Sequence, residues 1–202
     1  MKSVGLQFHG PLAWVHADDA EFIFDADISK NRGIYLWTVK TPTGHLVWYV
    51  GQTRASFRQR MKEHFKEQMS GSYGLNDPVL LAQGERKKIW PGMYGRGEER
   101  RAPEFLDQMP SLCEAMVEVA KITRFFVAPM HEEAKMYRRV EGGTGRYLRD
   151  QPGVVGEFLD KALRYDRSWR EGEDPWELRI KCPPEVLGMP ERLVFDEHFG
   201  CN

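Results

Sequence analysis

The chain has 202 residues, with 29 Lys and Arg against 30 Asp and Glu, a formal net charge of −1. Its 41% hydrophobic and 29% charged residues are those of a globular domain large enough for one sizeable core. No apolar run approaches membrane-spanning length, Met1-Lys2-Ser3 does not open a signal peptide, and Cys113, Cys182 and Cys201 form no C-x-x-C pair, which fits a reducing cytoplasm. A near-zero total charge speaks against a uniformly basic nucleic-acid binder. The charge is uneven, however: residues 54–66 and 86–101 are net basic and residues 171–197 net acidic, so a local basic face is available.

Residues 1–30 read as an N-terminal extension with two short strands, 4–8 and 21–24, placed to lengthen a sheet or cap its edge. His9 and His16 there read as structural or exposed. Residues 33–40 and 45–50 are rich in β-branched and aromatic side chains and form a strand pair around Thr41-Pro42-Thr43-Gly44. Pro42 suits position i+1 of a type I turn and Gly44 the left-handed residue after it, which predicts a three-residue loop with a bulge. Thr41 then faces His45, Trp37 faces Tyr49 and Tyr35 faces Gly51. That register puts Tyr35 and Tyr49 on one face as diagonal neighbours, whereas a four-residue loop would separate them.

A helix follows, starting at the capping pair Ser56 and Gln59 and ending near Met69. Phe57, Met61 and Phe65 are its packing stripe, and Arg60 and His64 lie beside that stripe one turn apart. Arg58 and Lys62 point further towards solvent. Two tyrosines, an arginine and a histidine are thus expected at the junction of hairpin and helix.

Beyond a loop at 70–78 comes a long segment, 79–110, in which Lys87, Lys88, Trp90, Tyr94 and Arg96 interleave cations with aromatics. Such a segment suits either a nucleic-acid contact surface or a plain insertion. Residues 112–120 read as helix, 121–128 as a third strand and 131–150 as a second main helix. Tyr137, Val140, Thr144 and Leu148 form the inner side of that helix, with Glu141 adjoining it. Gly142, Gly143 and Gly145 each cost about 1 kcal/mol against alanine inside a helix, so they mark close packing or a break. Gly142-Gly143-Thr144-Gly145 also suits a phosphate nest, though without a P-loop lysine. The tail, 153–202, is expected to be a helix over 154–170 followed by an irregular acidic end interrupted by Pro175, Pro183 and Pro184.

The ordered set Gly33-Ile34-Tyr35, Tyr49-Val50-Gly51-Gln52-Thr53 and Arg60-x-x-x-His64, on strand, strand and helix, resembles the GIY-YIG nuclease superfamily. That superfamily includes homing endonucleases, some restriction enzymes and a repair nuclease. The resemblance is strong over residues 33–66 and extends to about residue 151. It implies an α/β domain of the α+β type over 31–152, a small antiparallel sheet flanked by helices, with an insertion near 79–110. It also implies a metal-dependent DNA endonuclease. Tyr35 would be the general base, Tyr49 would orient phosphate or water, and Arg60 would contact the scissile phosphate. His64 would assist or relay the proton, and Glu141 would hold a single Mg²⁺ (or Mn²⁺). A free phenol titrates near 10, so Arg60 and His64 are expected to lower the pKa of Tyr35. Gln52, Thr53, Arg54, Arg58, Lys62, Lys87, Lys88 and Arg96 are the expected DNA contacts. The family often places an asparagine about ten residues after the glutamate, where this chain has Gln151-Pro152. A competing reading keeps the fold without turnover, as a nucleic-acid-binding or protein-interaction module. A weaker one is a small-molecule enzyme using the glycine run as a phosphate cradle.

Overall fold

A computed structural model describes residues 1–93, 98–160 and 172–196 of the chain. In chain order its strands and helices are β1 (Lys2–Gln7), β2 (His9–Ala13), β3 (Glu21–Phe22), β4 (Gly33–Thr41), β5 (Gly44–Thr53), α1 (Phe57–Met69), β6 (Leu75–Asn76) and α2 (Pro78–Ala82). Then follow β7 (Lys88–Trp90), α3 (Ala102–Ile122), β8 (Thr123–Pro129), α4 (Ala134–Arg149), α5 (Val154–Phe158), β9 (Trp176–Lys181) and β10 (Arg192–Phe195). The expected α/β class is thus observed. A five-stranded sheet, ordered β3-β2-β8-β4-β5, is the centre of the fold, and the β4–β5 hairpin ends it at β5.

The hairpin reaches its expected register by a different route. Thr41 pairs with Gly44 rather than His45, so the loop is two residues, Pro42 and Thr43. Continued without interruption, that register would oppose Tyr35 to Val50 and turn Tyr49 to the other face. Between Thr38 and Trp37 the pairing shifts by one, from Thr38–Val47 to Trp37–Tyr49, and Trp48 is the extra residue. This β-bulge restores the Tyr35–Gly51 pair and brings both tyrosines to one face.

Trp48 is held in place on several sides. Its ring stacks on Trp37 (centroids 6.4 Å apart) and meets the edge of Phe158, while the Arg86 guanidinium lies 4.9 Å above it. Its carbonyl accepts the Asp160 N–H at 2.9 Å. The tight turn has its own support, because the His45 N–H bonds to the Glu185 carbonyl (2.7 Å) and the Leu187 N–H to the His45 carbonyl (3.0 Å). Gly44 adopts φ +139°, positive but not left-handed helical as expected, and a Cβ there would lie 2.5 Å from the Glu185 oxygen.

The two faces of the sheet carry different helices. Tyr35, Trp37, Phe125 and Val127 pack with Phe57 and Met61 of α1, each of which contributes about 1.5–3 kcal/mol by its burial. Ile34, Leu36, Val50 and Phe126 pack with Tyr137, Val140 and Leu148 of α4. The Ser56 hydroxyl accepts the Gln59 N–H at 3.1 Å, as the capping signature predicts, but the Gln59 side chain runs forward to Glu63 instead of closing the box. Helix α4 is unbroken through Gly142, Gly143 and Gly145, which are buried where it lies against β5. The glycines therefore do not mark a break; they are buried positions of a continuous helix.

Three expectations need correction. The acidic tail is not irregular: β9 pairs parallel with β1 and antiparallel with β10 in a second sheet, and Leu178, Ile180 and Phe195 share a core with Ile34. Prolines and short strands hid this partner, because a parallel pairing across the whole chain leaves no local signal. Helix 154–170 stops at Phe158, where Leu159 leaves helical geometry (φ −60°, ψ +143°), and its expected remainder from 161 lies outside the described residues. The long 79–110 segment contains α2, β7 and the first part of α3, which begins at Ala102 rather than 112 and carries Pro110 inside it. Trp90 is a fully buried anchor there, bonding through Nε1 to the Gly71 carbonyl at 2.7 Å, not an aromatic surface for bases. Among the described residues no helix is long and apolar enough to cross a membrane.

Gly44→Ala is expected to destabilise the fold by about 1–3 kcal/mol, since the added carbon meets a backbone oxygen at an unfavourable φ. Urea denaturation checks it, and an unchanged midpoint would mean that the turn relaxes freely.

Candidate functional site

Tyr35 stands near the start of β4 and Tyr49 on β5, with ring centroids 5.9 Å apart. Gly51 makes this approach possible. It faces Tyr35 across the ladder, and a Cβ there would lie 2.3 Å from the Tyr35 ring and 2.5 Å from that of Tyr49. Helix α1 brings the other two groups. The Tyr35 hydroxyl is 2.7 Å from His64 Nε2, and Arg60 Nε donates to the same hydroxyl at 3.4 Å. His64 lies within ring-contact range of both tyrosines and of Trp37. The Arg60 Nη1 also pairs with Glu63 at 3.0 Å.

Burial governs the electrostatics here. It holds the Tyr35 phenol well above its usual pKa of 10; Tyr49 adds to the rise, and Arg60 opposes it without winning. The expected lowering by nearby cations is therefore corrected. Burial also raises Tyr49, and the Glu141 carboxylate on α4 adds to that rise. His64 is pushed down to about 3, first by burial and then by the Arg60 charge, so at neutral pH it is an uncharged imidazole that can accept a proton but cannot act as a cation. For Arg60, burial works against the charge. The guanidinium nonetheless stays protonated, with Glu63 as its carboxylate partner.

No family model, no curated protein and no solved structure matches this chain. The site's own geometry therefore carries the functional reading.

Five residues read from the sequence are brought together, four by contact. Glu141 comes from the opposite side of the sheet, off α4, and its charge acts on Tyr49 in the edge strand β5. Among the described residues no group of three His, Cys, Asp or Glu side chains gathers.

The expected DNA contacts divide. Thr53 is buried and takes no part in a surface. Gln52 pairs with Ile34 and so faces the α4 side, where its Oε1 is buried without a partner. Arg58 leans on the Ser29 hydroxyl at 3.4 Å, beside the 3₁₀ turn Asp27–Lys30. Lys62, Lys87 and Lys88 are exposed, and Arg96 lies outside the described residues. Arg54 lines a cavity of about 340 Å³ with Lys30, Arg32, Ser56 and His131, at the start of the helix that carries Arg60. Gln151, which stands where the resemblance would expect an asparagine, donates back to the Tyr147 carbonyl at 3.3 Å, just beyond the end of α4.

Sequence reading missed Tyr73. Its hydroxyl is 3.0 Å from His64 Nδ1, across a loop with no periodic signal. Only the tertiary fold of 70–76 brings it there.

Since His64 is neutral when folded and titrates near 6.5 when unfolded, the unfolded chain binds the extra proton below that pH. The stability contributed by neutral His64 is complete above about pH 6.5 and is lost as pH falls towards 3, by at most about 1.4 kcal/mol per pH unit. In His64→Gln the loss between pH 6 and 4 should be shallower than in the wild type by that slope, as measured by denaturant titration at each pH. Equal slopes would place the imidazole in solvent.

Proposed function

We propose that the chain is a divalent-metal-dependent DNA endonuclease of the GIY-YIG type, hydrolysing phosphodiester bonds in a reducing, cytoplasmic setting. What supports this reading above all is the convergence of Tyr35, Tyr49, Arg60 and His64 at one point, with the Tyr35 hydroxyl 2.7 Å from His64 Nε2. Singly each residue would be ordinary packing; together they are two phenols, an acceptor for the proton of one of them and a cation for phosphate.

In this mechanism Arg60 binds a phosphate oxygen through the part of its fork not engaged with Glu63. Tyr35 takes a proton from the attacking water as its own passes to His64 Nε2, so the phenol never has to ionise alone in a buried place. A bound phosphate raises the proton affinity of His64, because its negative charge offsets that of Arg60. Tyr49 fixes the water and the phosphate relative to Tyr35. Glu141 would hold a Mg²⁺ ion, which would supply charge neutralisation and water of lowered pKa. Arg54 and Arg32, together with Lys30 and His131, offer the neighbouring stretch of backbone a cationic cavity just beyond the first turn of α1.

A second reading, a binding module without turnover, is favoured by one observation: Tyr35 has no accessible surface in this conformation. Tyr35→Phe decides between them. It removes one oxygen and keeps the ring, and under the nuclease reading it lowers the cleavage rate by about 10²-fold or more with DNA affinity unchanged. Glu141→Ala should abolish Mg²⁺-dependent cleavage while retaining DNA binding, since it removes no phosphate contact. Wild-type protein that binds several DNA structures but cuts none in Mg²⁺ or Mn²⁺ would establish the module.

A further inference from the structure

We propose that Tyr73 is a positioning residue that holds His64 in its Nδ1–H tautomer, leaving Nε2 unprotonated to receive the hydroxyl proton of Tyr35. The inference rests on the nuclease reading for its catalytic consequence, but not for the tautomer itself.

The chain of contacts runs Arg60, Tyr35, His64, Tyr73, and donor chemistry gives it a direction. Arg60 is a donor only, so at 3.4 Å the Tyr35 oxygen accepts its Nε–H. The Tyr35 hydroxyl hydrogen is then available to His64 Nε2. With that hydrogen directed to Nε2, the one N–H of a neutral imidazole sits on Nδ1 and points to Tyr73. The distances agree with this order. The 2.7 Å contact from Tyr35 to Nε2 is the length of an O–H donor bond, and the 3.0 Å contact from Nδ1 to Tyr73 is that of an N–H donor bond. In the opposite tautomer the Tyr35 oxygen would accept two N–H bonds and its hydrogen would turn to Tyr49, with which it also hydrogen-bonds, leaving the Tyr73 hydroxyl to donate to Nδ1.

Tyr73 is placed by its surroundings, not by its own packing alone. Its N–H bonds to the Glu67 carbonyl at 3.3 Å, and its ring lies near Trp37 and His64. The loop is pinned by Trp90 Nε1 and the Met93 N–H, both on the Gly71 carbonyl, and Gly92 allows the close backbone approach to Gly74. Segment 79–93 thereby serves the site indirectly, by fixing the loop that orients His64. The groups facing His64 are Tyr35 and Trp37 from β4, Tyr49 from β5, Arg60 and Glu63 from α1, and Tyr73 from the loop. Of these, only Tyr73 contacts Nδ1 through a hydroxyl oxygen.

The test is ¹⁵N NMR of the imidazole nitrogens in full-length wild type and Tyr73→Phe, without substrate at pH 7. Wild type should show a protonated Nδ1 and a bare Nε2. Tyr73→Phe, with its ring packing kept, should move His64 towards the Nε2–H form. Wild-type His64 protonated on Nε2, or a tautomer unchanged in Tyr73→Phe, would overturn the proposal. With duplex and branched DNA and Mg²⁺, Tyr73→Phe should lower kcat about tenfold with KM unchanged; an unchanged kcat would also overturn it as a positioning role. If the wild type cuts no DNA, the nuclease reading fails by itself, and the NMR result still decides the tautomer.

Discussion

Trp48 is the extra residue on which the arrangement of the site depends. A two-residue turn alone would put Tyr35 and Tyr49 on opposite faces of the hairpin, one against α1 and the other against α4. The bulge shifts every later pair by one and gathers both phenols beneath α1. It is stabilised by Trp37 across the hairpin and by groups distant in the chain, namely Arg86, Phe158 and the Asp160 N–H. The turn is kept at two residues by the 185–187 segment, which bonds both backbone groups of His45. The C-terminal part of the chain thus fixes the register that the site requires.

The same packing that assembles the cluster sets its protonation. Removing Tyr35 and His64 from water favours their neutral forms, and one nearby guanidinium does not reverse this. A buried phenol beside a neutral imidazole suits proton transfer between them better than a standing phenolate. The charged groups lie at the margin: Arg60 half-buried with Glu63, and Glu141 across the sheet edge near Tyr49.

Strands from the first and last parts of the described chain belong to this same core. β1 and β9, from opposite ends of the sequence, pair in parallel, and their apolar residues meet those of α4 and β4. Glu177 on β9 is buried between Arg179 and Arg192, which hold its carboxyl below the usual range. On the other side of the molecule, buried Arg124 on β8 reaches Asp19 at 2.6 Å and ties the segment after β2 to the sheet.

Residues 33–66 disclosed strand, turn, strand and capped helix because each signal there is local: β-branched runs, Pro42 and Gly44 at the turn, Ser56 before an apolar stripe. The spacing of Arg60 and His64 along that helix, and the near-neutral α/β composition, were equally legible. The meeting of Tyr35 with Tyr49 was expected from a loop type the chain does not adopt. The true cause, a bulge held by Arg86 and Phe158, depends on contacts that no window of sequence contains. Tyr73 and the β1–β9 pairing were hidden for the same reason, since one sits in an aperiodic loop and the other joins residues more than 170 positions apart. Burial itself is a tertiary quantity, so the neutrality of Tyr35 and His64 could not be read from their identities. Local preference determined which residues were available; the packing of distant segments decided which of them touch and which carry charge.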